Sequence, residues 1–252
     1  MTNEFVSVTN HGPVRQIAMD KGVRGNTLSE AFVETLLNEV KAAEKDESVK
    51  AIVLSGSERH FCVGMDLKIV AAKNAVTAVE TRWLEDIDQL RQCRKPIIAA
   101  VRGHAVGGGF ELALYCDLII AAEDAKFALP ETGIGLIPGQ GGSQRLVAMC
   151  GRAIATDLVL TGRVLSGREA ADYGIAARVF PADRVLEETI EIGQAIAKRS
   201  AVALTFAREI LHEATEGPIR QSLRIERLLA SVVLDTAEAR KRVSDFLESR
   251  KK

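Results

Sequence analysis

Short apolar runs separated by polar, glycine-containing segments dominate the first two-thirds of the chain. Alternating or β-branched composition predicts strands for six of these runs: 5–9, 14–19, 49–55, 96–101, 118–122 and 176–180. Apolar residues recur at helical spacing in the segment 28–45, and the segment 69–93 is interpreted as a helix with its charges on one face. This part of the chain therefore alternates strands and helices, which is typical of the α/β class.

The last third of the chain has helical spacing almost throughout. Helices are predicted for seven segments: 143–150, 152–161, 167–173, 183–199, 201–213, 219–231 and 236–249. We place a boundary near 195–205, so that residues 1–198 form the core and residues 199–252 form a C-terminal helical region packed on it. The sequence contains no internal repeat and no low-complexity linker.

Composition and charge narrow the functional classes. The 252 residues carry a formal net charge of −1, so no global field attracts nucleic acid or an anionic membrane surface. The first 20 residues lack the features of a signal or transit peptide, and no apolar stretch is long enough to span a bilayer. We expect a soluble, cytoplasmic protein.

The cysteines and histidines give no indication of a metal site. None of the four cysteines is part of a CxxC motif or has a histidine at ligand spacing, which predicts small buried hydrophobes in a reduced compartment: Cys62, Cys93, Cys116 and Cys150. We therefore expect no metal.

The stretch from Lys95 to Asp117, KPIIAAVRGHAVGGGFELALYCD, joins a buried strand, three glycines and the start of a helix. Glycines at a helix start leave N–H groups free at the positive end of the helix dipole, where they can bind an oxygen that develops negative charge. Glu111 follows Gly108 by three residues, within the first helical turn. A tight turn with Glu111 as a first-turn cap explains the same pattern, and both interpretations stay open.

Two other loops add chemistry of the same kind. Glu131 follows Pro130 in a loop, and Gly64-Met65-Asp66 offers a second set of backbone donors. Addition of water to an activated carbonyl compound requires such a combination, because one pair of donors stabilises an enolate oxygen while two carboxylates position water and move protons. The spacing alone does not establish that these loops meet.

Three blocks of the sequence, in this order, resemble the crotonases, or enoyl-CoA hydratase/isomerase superfamily: HFCVGMDLK (60–68), AAVRGHAVGGGFELALYCD (99–117) and KFALPETGIGLIPGQGGSQRL (126–146). The resemblance extends over nearly the whole chain. It implies a spiral of ββα turns with two roughly perpendicular sheets. It also implies C-terminal helices that assemble homotrimers, often paired into hexamers.

The resemblance also implies a site for an acyl-CoA thioester. The backbone N–H groups of Met65 and Gly108 would form the oxyanion hole, and Glu111 and Glu131 match the two catalytic glutamates of the hydratases. Glu111 would help to activate water for attack at C3, and Glu131 would supply a proton to C2. No separate cofactor is implied, since coenzyme A is carried by the substrate. Met65 stands where the family often has alanine, which adds bulk beside the thioester.

The nucleotide part of coenzyme A carries phosphate groups, so the resemblance implies cations in the loops that the family uses there. Arg24 and Lys68 lie in those loops and are the candidate CoA-binding residues. Solvated surface charge explains each of them equally well. The C-terminal segment is basic through Lys241, Arg242 and the residues 250–252, which we interpret as a solvated helix face and tail.

Three functions follow, in order of preference. The first is an enoyl-CoA hydratase, which adds water to a trans-2-enoyl-CoA to give a 3-hydroxyacyl-CoA, or catalyses the reverse dehydration. The second is an enoyl-CoA double-bond isomerase or another crotonase reaction. The third is a non-catalytic or RNA-binding relative, against which the absence of a basic stripe argues. The presence of both glutamates favours the hydratase.

Overall fold

The computed structural model describes residues 5–20, 24–81 and 83–249. The chain divides into two units, Met1–Gln194 and Ala195–Lys252. The described ranges contain ten strands: β1 (Ser7–His11), β2 (Val14–Ala18), β3 (Ala51–Ser55), β4 (His60–Cys62), β5 (Ile97–Val101), β6 (His104–Val106), β7 (Leu118–Ala122), β8 (Lys126–Ala128), β9 (Leu165–Ser166) and β10 (Arg178–Phe180). The predicted α/β class is confirmed.

A six-stranded sheet in the order β1-β2-β3-β5-β7-β10 forms the larger layer. β1 and β2 pair as an antiparallel hairpin, and every other pairing in this sheet is parallel. All five residues of β3 and of β5 are buried, which explains why β5 is a continuous apolar run and why β3 is apolar up to its last residue, Ser55. All six predicted strands are confirmed, with shifted ends.

A second, four-stranded sheet in the order β4-β6-β8-β9 was not assigned from the sequence. No strand was predicted for residues 60–62 or 126–128, which form β4 and β8. Those two strands have only three residues each and β9 has two, which is too short for an alternating pattern to be visible. β4 and β8 each bury one aromatic ring, that of Phe61 and that of Phe127.

The α-helices within the described ranges are α1 (Glu30–Lys45), α2 (Leu67–Ala72), α3 (Ala75–Glu80), α4 (Gly108–Tyr115), α5 (Gly142–Thr161), α6 (Gly167–Asp172), α7 (Val185–Ala197), α8 (Ala201–Glu216), α9 (Ile219–Leu234) and α10 (Ala237–Ser249). α5 is interrupted at Gly151, whose φ of 76° and ψ of 164° are not helical, so the two helices predicted there are confirmed. None of the described helices is both long enough and apolar enough to cross a membrane.

The single helix predicted for 69–93 is wrong. α2 ends before Lys73, which is extended, and Asn74 begins α3 in a capping box with Thr77. The segment Trp83–Gln92 is a 3-10 helix, in which residues three apart share a face. Ile87 and Leu90 lie three apart and are fully buried, so their contacts favour this tighter helix.

Candidate active site

The loop after β4 packs directly against the start of α4. Gly64, with a φ of 88°, turns this loop, and a Cβ built on it would lie 2.8 Å from the carbonyl oxygen of Val106 and 3.0 Å from the nitrogen of Gly108. A side chain at Gly64 would therefore push the two backbones apart. The two loops that the sequence could not bring together do meet.

The backbone N–H groups of Met65 and Gly108, at this junction, are not used by the bridge to Leu28 or by the hydrogen bonds within α4. Met65 forms an isolated parallel bridge with Leu28, whose hydrogen bonds run to the carbonyl of Gly64 (2.8 Å) and from the N–H of Asp66 (3.3 Å). Because successive residues of an extended strand face opposite sides, the N–H of Met65 points away from Leu28. Gly108 is the first residue of α4, where an N–H has no acceptor within the helix.

The carboxyl group of Glu111 is buried and held by the loop that precedes α5. Its Oε1 accepts hydrogen bonds from the N–H of Gln140 (2.8 Å) and from the N–H of Gly142 (2.9 Å). Burial raises the pKa of Glu111, while these N–H groups and the charge of Arg145 oppose the rise by stabilising the ionised form.

Glu131 has no comparable support. It begins a short 3-10 helix, Glu131–Ile134, and its Oε2 is enclosed without a hydrogen-bond partner among the described residues. A Cβ on Gly107 would lie 3.3 Å from Oε1 of Glu131, so this carboxyl group lies against the start of α4. Burial raises the pKa of Glu131, a hydrogen bond from its own backbone N–H opposes the rise, and the nearby charge of Glu111 adds to it.

The two carboxyl groups therefore differ in environment although they are neighbours. Burial raises both pKa values, but N–H groups of another loop favour the carboxylate of Glu111, whereas Glu131 has a hydrogen bond from its own backbone N–H and a like charge that favours its neutral acid. A pair of acids with such environments can divide the roles of base and acid at neutral pH.

The structure brings four of the six predicted site residues together, namely Met65, Gly108, Glu111 and Glu131. Lys68 is exposed in the first turn of α2, beyond the capping Asp66. The backbone of Arg24 begins a short 3-10 helix, Arg24–Asn26, but its side chain lies outside the described part of the structure. Residues 21–23 and the basic tail at 250–252 also lie outside it.

The role of the glycine-rich loop before α5 was missed from the sequence. The N–H groups of Gln140 and Gly142 in this loop bind Glu111. Arg145, in the first turns of α5, places its guanidinium 3.8 Å from the ring centroid of Tyr115. Nothing in the sequence indicated that this loop contacts Glu111.

No group of three or more histidine, cysteine, aspartate or glutamate side chains is arranged to hold a metal ion within the ranges that the structure describes. Three of the four cysteines are buried and the fourth, Cys150, is half-buried, and all are free thiols.

Comparisons with known proteins agree with one another. A family model described as enoyl-CoA hydratase/isomerase matches residues 9–252. A probable enoyl-CoA hydratase from Rhizobium meliloti is 39% identical over 251 residues, covering 100% of this chain and 98% of the relative. The 2,3-dehydroadipyl-CoA hydratase of Escherichia coli is 35% identical, covering 96% and 95%. A crystal structure of enoyl-CoA hydratase from Bacillus anthracis superposes with a TM-score of 0.90 at 32% identity, covering 97% of this chain and 96% of that chain.

Proposed function

The chain belongs to the enoyl-CoA hydratase/isomerase family, and we propose that it adds water across the 2,3 double bond of a trans-2-enoyl-CoA to give a 3-hydroxyacyl-CoA, or catalyses the reverse dehydration. The observation that carries the proposal is the pair of neighbouring carboxyl groups, Glu111 and Glu131, beside the junction of two N–H-bearing loops. Two relatives that are named as hydratases, and that match over nearly their full length, support the same reaction.

The N–H groups of Met65 and Gly108 are the proposed oxyanion hole. Attack of water at C3 moves negative charge onto the thioester oxygen, so donors that are fixed in advance stabilise the enolate more than the substrate. The position of Gly108 at the start of α4 adds the positive end of the helix dipole.

The two glutamates divide the proton transfers. Ionised Glu111 accepts a proton from water as the water oxygen bonds to C3, and neutral Glu131 gives its proton to C2. Transfer of a proton from Glu111 back to Glu131 then restores the starting state. The hydrogen bonds to Glu111 and the unpartnered, enclosed Oε2 of Glu131 support this assignment.

Coenzyme A arrives with the substrate, so the proposed reaction needs no separate cofactor. Arg24 and Lys68 are the proposed partners of its phosphate groups, for which guanidinium and ammonium groups are suited. The support for Lys68 is its exposed place in α2, directly after the loop that carries Met65.

The proposed assembly is a homotrimer or a dimer of trimers in the cytoplasm. Large apolar side chains are exposed on the C-terminal helices, including Leu211 (70% exposed), Leu228 (65%) and Phe246 (54%). Such a concentration of exposed apolar residues is typical of a surface that is covered in an assembly.

The test is the absorbance of the conjugated enoyl thioester of crotonyl-CoA in the presence of purified protein. We expect the band to decrease, with formation of 3-hydroxybutyryl-CoA that carries one oxygen atom from isotopically labelled water. A band that develops from a 3-enoyl-CoA without hydration would identify an isomerase instead. The absence of any reaction with short, long and branched enoyl-CoA substrates would contradict the proposal.

A further inference from the structure

The side chain of Gln140 has a buried oxygen that nothing in the fold explains. Gln140 is only 4% exposed, and its Oε1 has no hydrogen-bond donor in the part of the chain that the structure describes. Buried amide oxygens are nearly always paired, and an apolar side chain of similar size would fill the same space without this cost.

This oxygen lies beside the proposed oxyanion hole. A Cβ built on Gly108 would be 3.1 Å from Oε1 of Gln140, 3.4 Å from Cδ1 of Leu28 and 3.6 Å from Cγ of Met65. The amide oxygen therefore borders the same space as two apolar side chains. The N–H of the same Gln140 donates to Glu111, so this residue connects the oxyanion donors with the carboxylate that activates water.

The chemistry of the reactants decides which group can satisfy this acceptor. The thioester carbonyl and the 2,3 double bond of an enoyl-CoA carry no hydrogen-bond donor. The attacking water carries O–H donors, and so does the 3-hydroxyl group that it becomes. An acceptor at this place is useful only when one of these two is present.

We propose that Oε1 of Gln140 accepts a hydrogen bond from the water that adds to C3 and, after addition, from the 3-hydroxyl group of the product. Gln140 thus joins the two glutamates as a third polar side chain at the reacting atoms. This inference rests on the proposed hydration. It contributes to the binding of hydroxylated acyl groups and contributes nothing to the binding of saturated ones.

The probes that test this are 3-hydroxybutyryl-CoA, as each enantiomer, and butyryl-CoA, which differ only in the hydroxyl group. Each is titrated by calorimetry into Glu131→Gln protein, in which slow turnover keeps the probe intact, and into the Glu131→Gln/Gln140→Leu double variant. We expect loss of the amide to lower the affinity ratio of the hydroxylated to the saturated probe about five- to tenfold. The affinity for butyryl-CoA should change less than about twofold, since apolar packing is retained.

The matched control is Leu28→Met in the same Glu131→Gln background. It alters an apolar side chain on the same space beside Gly108 and keeps its volume, so the affinity ratio should not change. Gln140→Met is a second variant without the amide, and it should behave like Gln140→Leu. Thermal unfolding shows whether each variant is folded.

An affinity ratio that Gln140→Leu and Gln140→Met leave unchanged would overturn the proposal, as would an equal loss for both probes. Either result would make Gln140 a packing residue. Turnover of crotonyl-CoA by the wild-type protein is a separate measurement: its absence together with an amide-dependent ratio would refute hydration, but not the contact between Gln140 and the hydroxyl group.

Discussion

Substitution of Gly109 by alanine perturbs the contact on which the two donor loops depend. Gly109 is the second residue of α4, and a Cβ built there would lie 2.0 Å from the carbonyl oxygen of Cys62 and 2.4 Å from its carbonyl carbon. Both atoms are backbone at the end of β4, so no flexible side chain can move aside. Reaching an ordinary contact of 3.4 Å requires the two elements to separate by about 1.4 Å.

This separation is large compared with the tolerance of a catalytic site. Catalytic groups must stay within about 0.5 Å of their productive positions. Gly108 precedes Gly109 and Met65 follows Cys62 by three residues, so a movement of α4 from β4 draws the two N–H donors apart. Loss of one oxyanion donor costs about 10²- to 10³-fold in kcat. We expect a decrease of this size, with about 1–3 kcal/mol of lost stability from overpacking.

The assay is kcat for crotonyl-CoA, together with the dissociation constant of free CoA and a urea unfolding curve. Gly133→Ala is the matched control, because Gly133 lies in the short helix that carries Glu131 and a Cβ there would have no neighbour within 4 Å. We expect the control to keep wild-type kcat. If Gly109→Ala is folded and also retains kcat within about twofold, the account of the paired N–H donors is wrong.

Three further outcomes are expected. Glu111→Gln removes a charge that raises the pKa of Glu131, so Glu131 should lose its proton at lower pH than in wild type. In a pH profile of the residual rate, the decrease on the alkaline side should therefore move to lower pH. Gly108→Ala should lower kcat/KM up to about tenfold without changing affinity for free CoA, because its Cβ would approach side-chain atoms rather than backbone, the nearest being the amide oxygen of Gln140 at 3.1 Å. Hydrogen bonds from Ser48 lower the pKa of Asp46 from 3.8 to about 2, so the carboxylate stabilises the fold above pH 3.8 and this contribution is lost as the pH falls through 2; the difference in urea midpoint between wild type and Asp46→Asn should disappear over that interval.

The larger sheet could be predicted because its strands are long enough to have a pattern. β5 and β7 are five-residue apolar runs and β3 has four apolar residues before Ser55, and burial on both faces is what such runs require. The smaller sheet could not be predicted, since two or three residues show neither period 2 nor period 3.6. The segment 69–93 failed for different reasons: Asn74 caps a new helix, α3, and the spacing of three between Ile87 and Leu90 fits α-helical and 3-10 geometry alike.

The site was predictable as a set of residues but not as an arrangement. The glycines at 107–109 indicated free N–H groups at a helix start, and Gly108 is the first residue of α4. The sequence could not indicate which loop satisfies Glu111, because the donors come from residues about 30 positions later and act through backbone N–H groups, which are independent of side-chain type. The sequence also could not indicate that Oε1 of Gln140 lacks a hydrogen-bond donor among the described residues, because hydrogen-bond partners are determined by the folded chain.

The most direct test of the central claim, that two neighbouring carboxyl groups carry out hydration, is kcat for crotonyl-CoA in Glu111→Gln and in Glu131→Gln beside wild type. Each glutamine keeps the shape of the side chain and removes its ability to exchange a proton. The account predicts a decrease of about 10²- to 10⁴-fold in each variant, with affinity for free CoA within about twofold of wild type. A near-wild-type rate in either variant would contradict it.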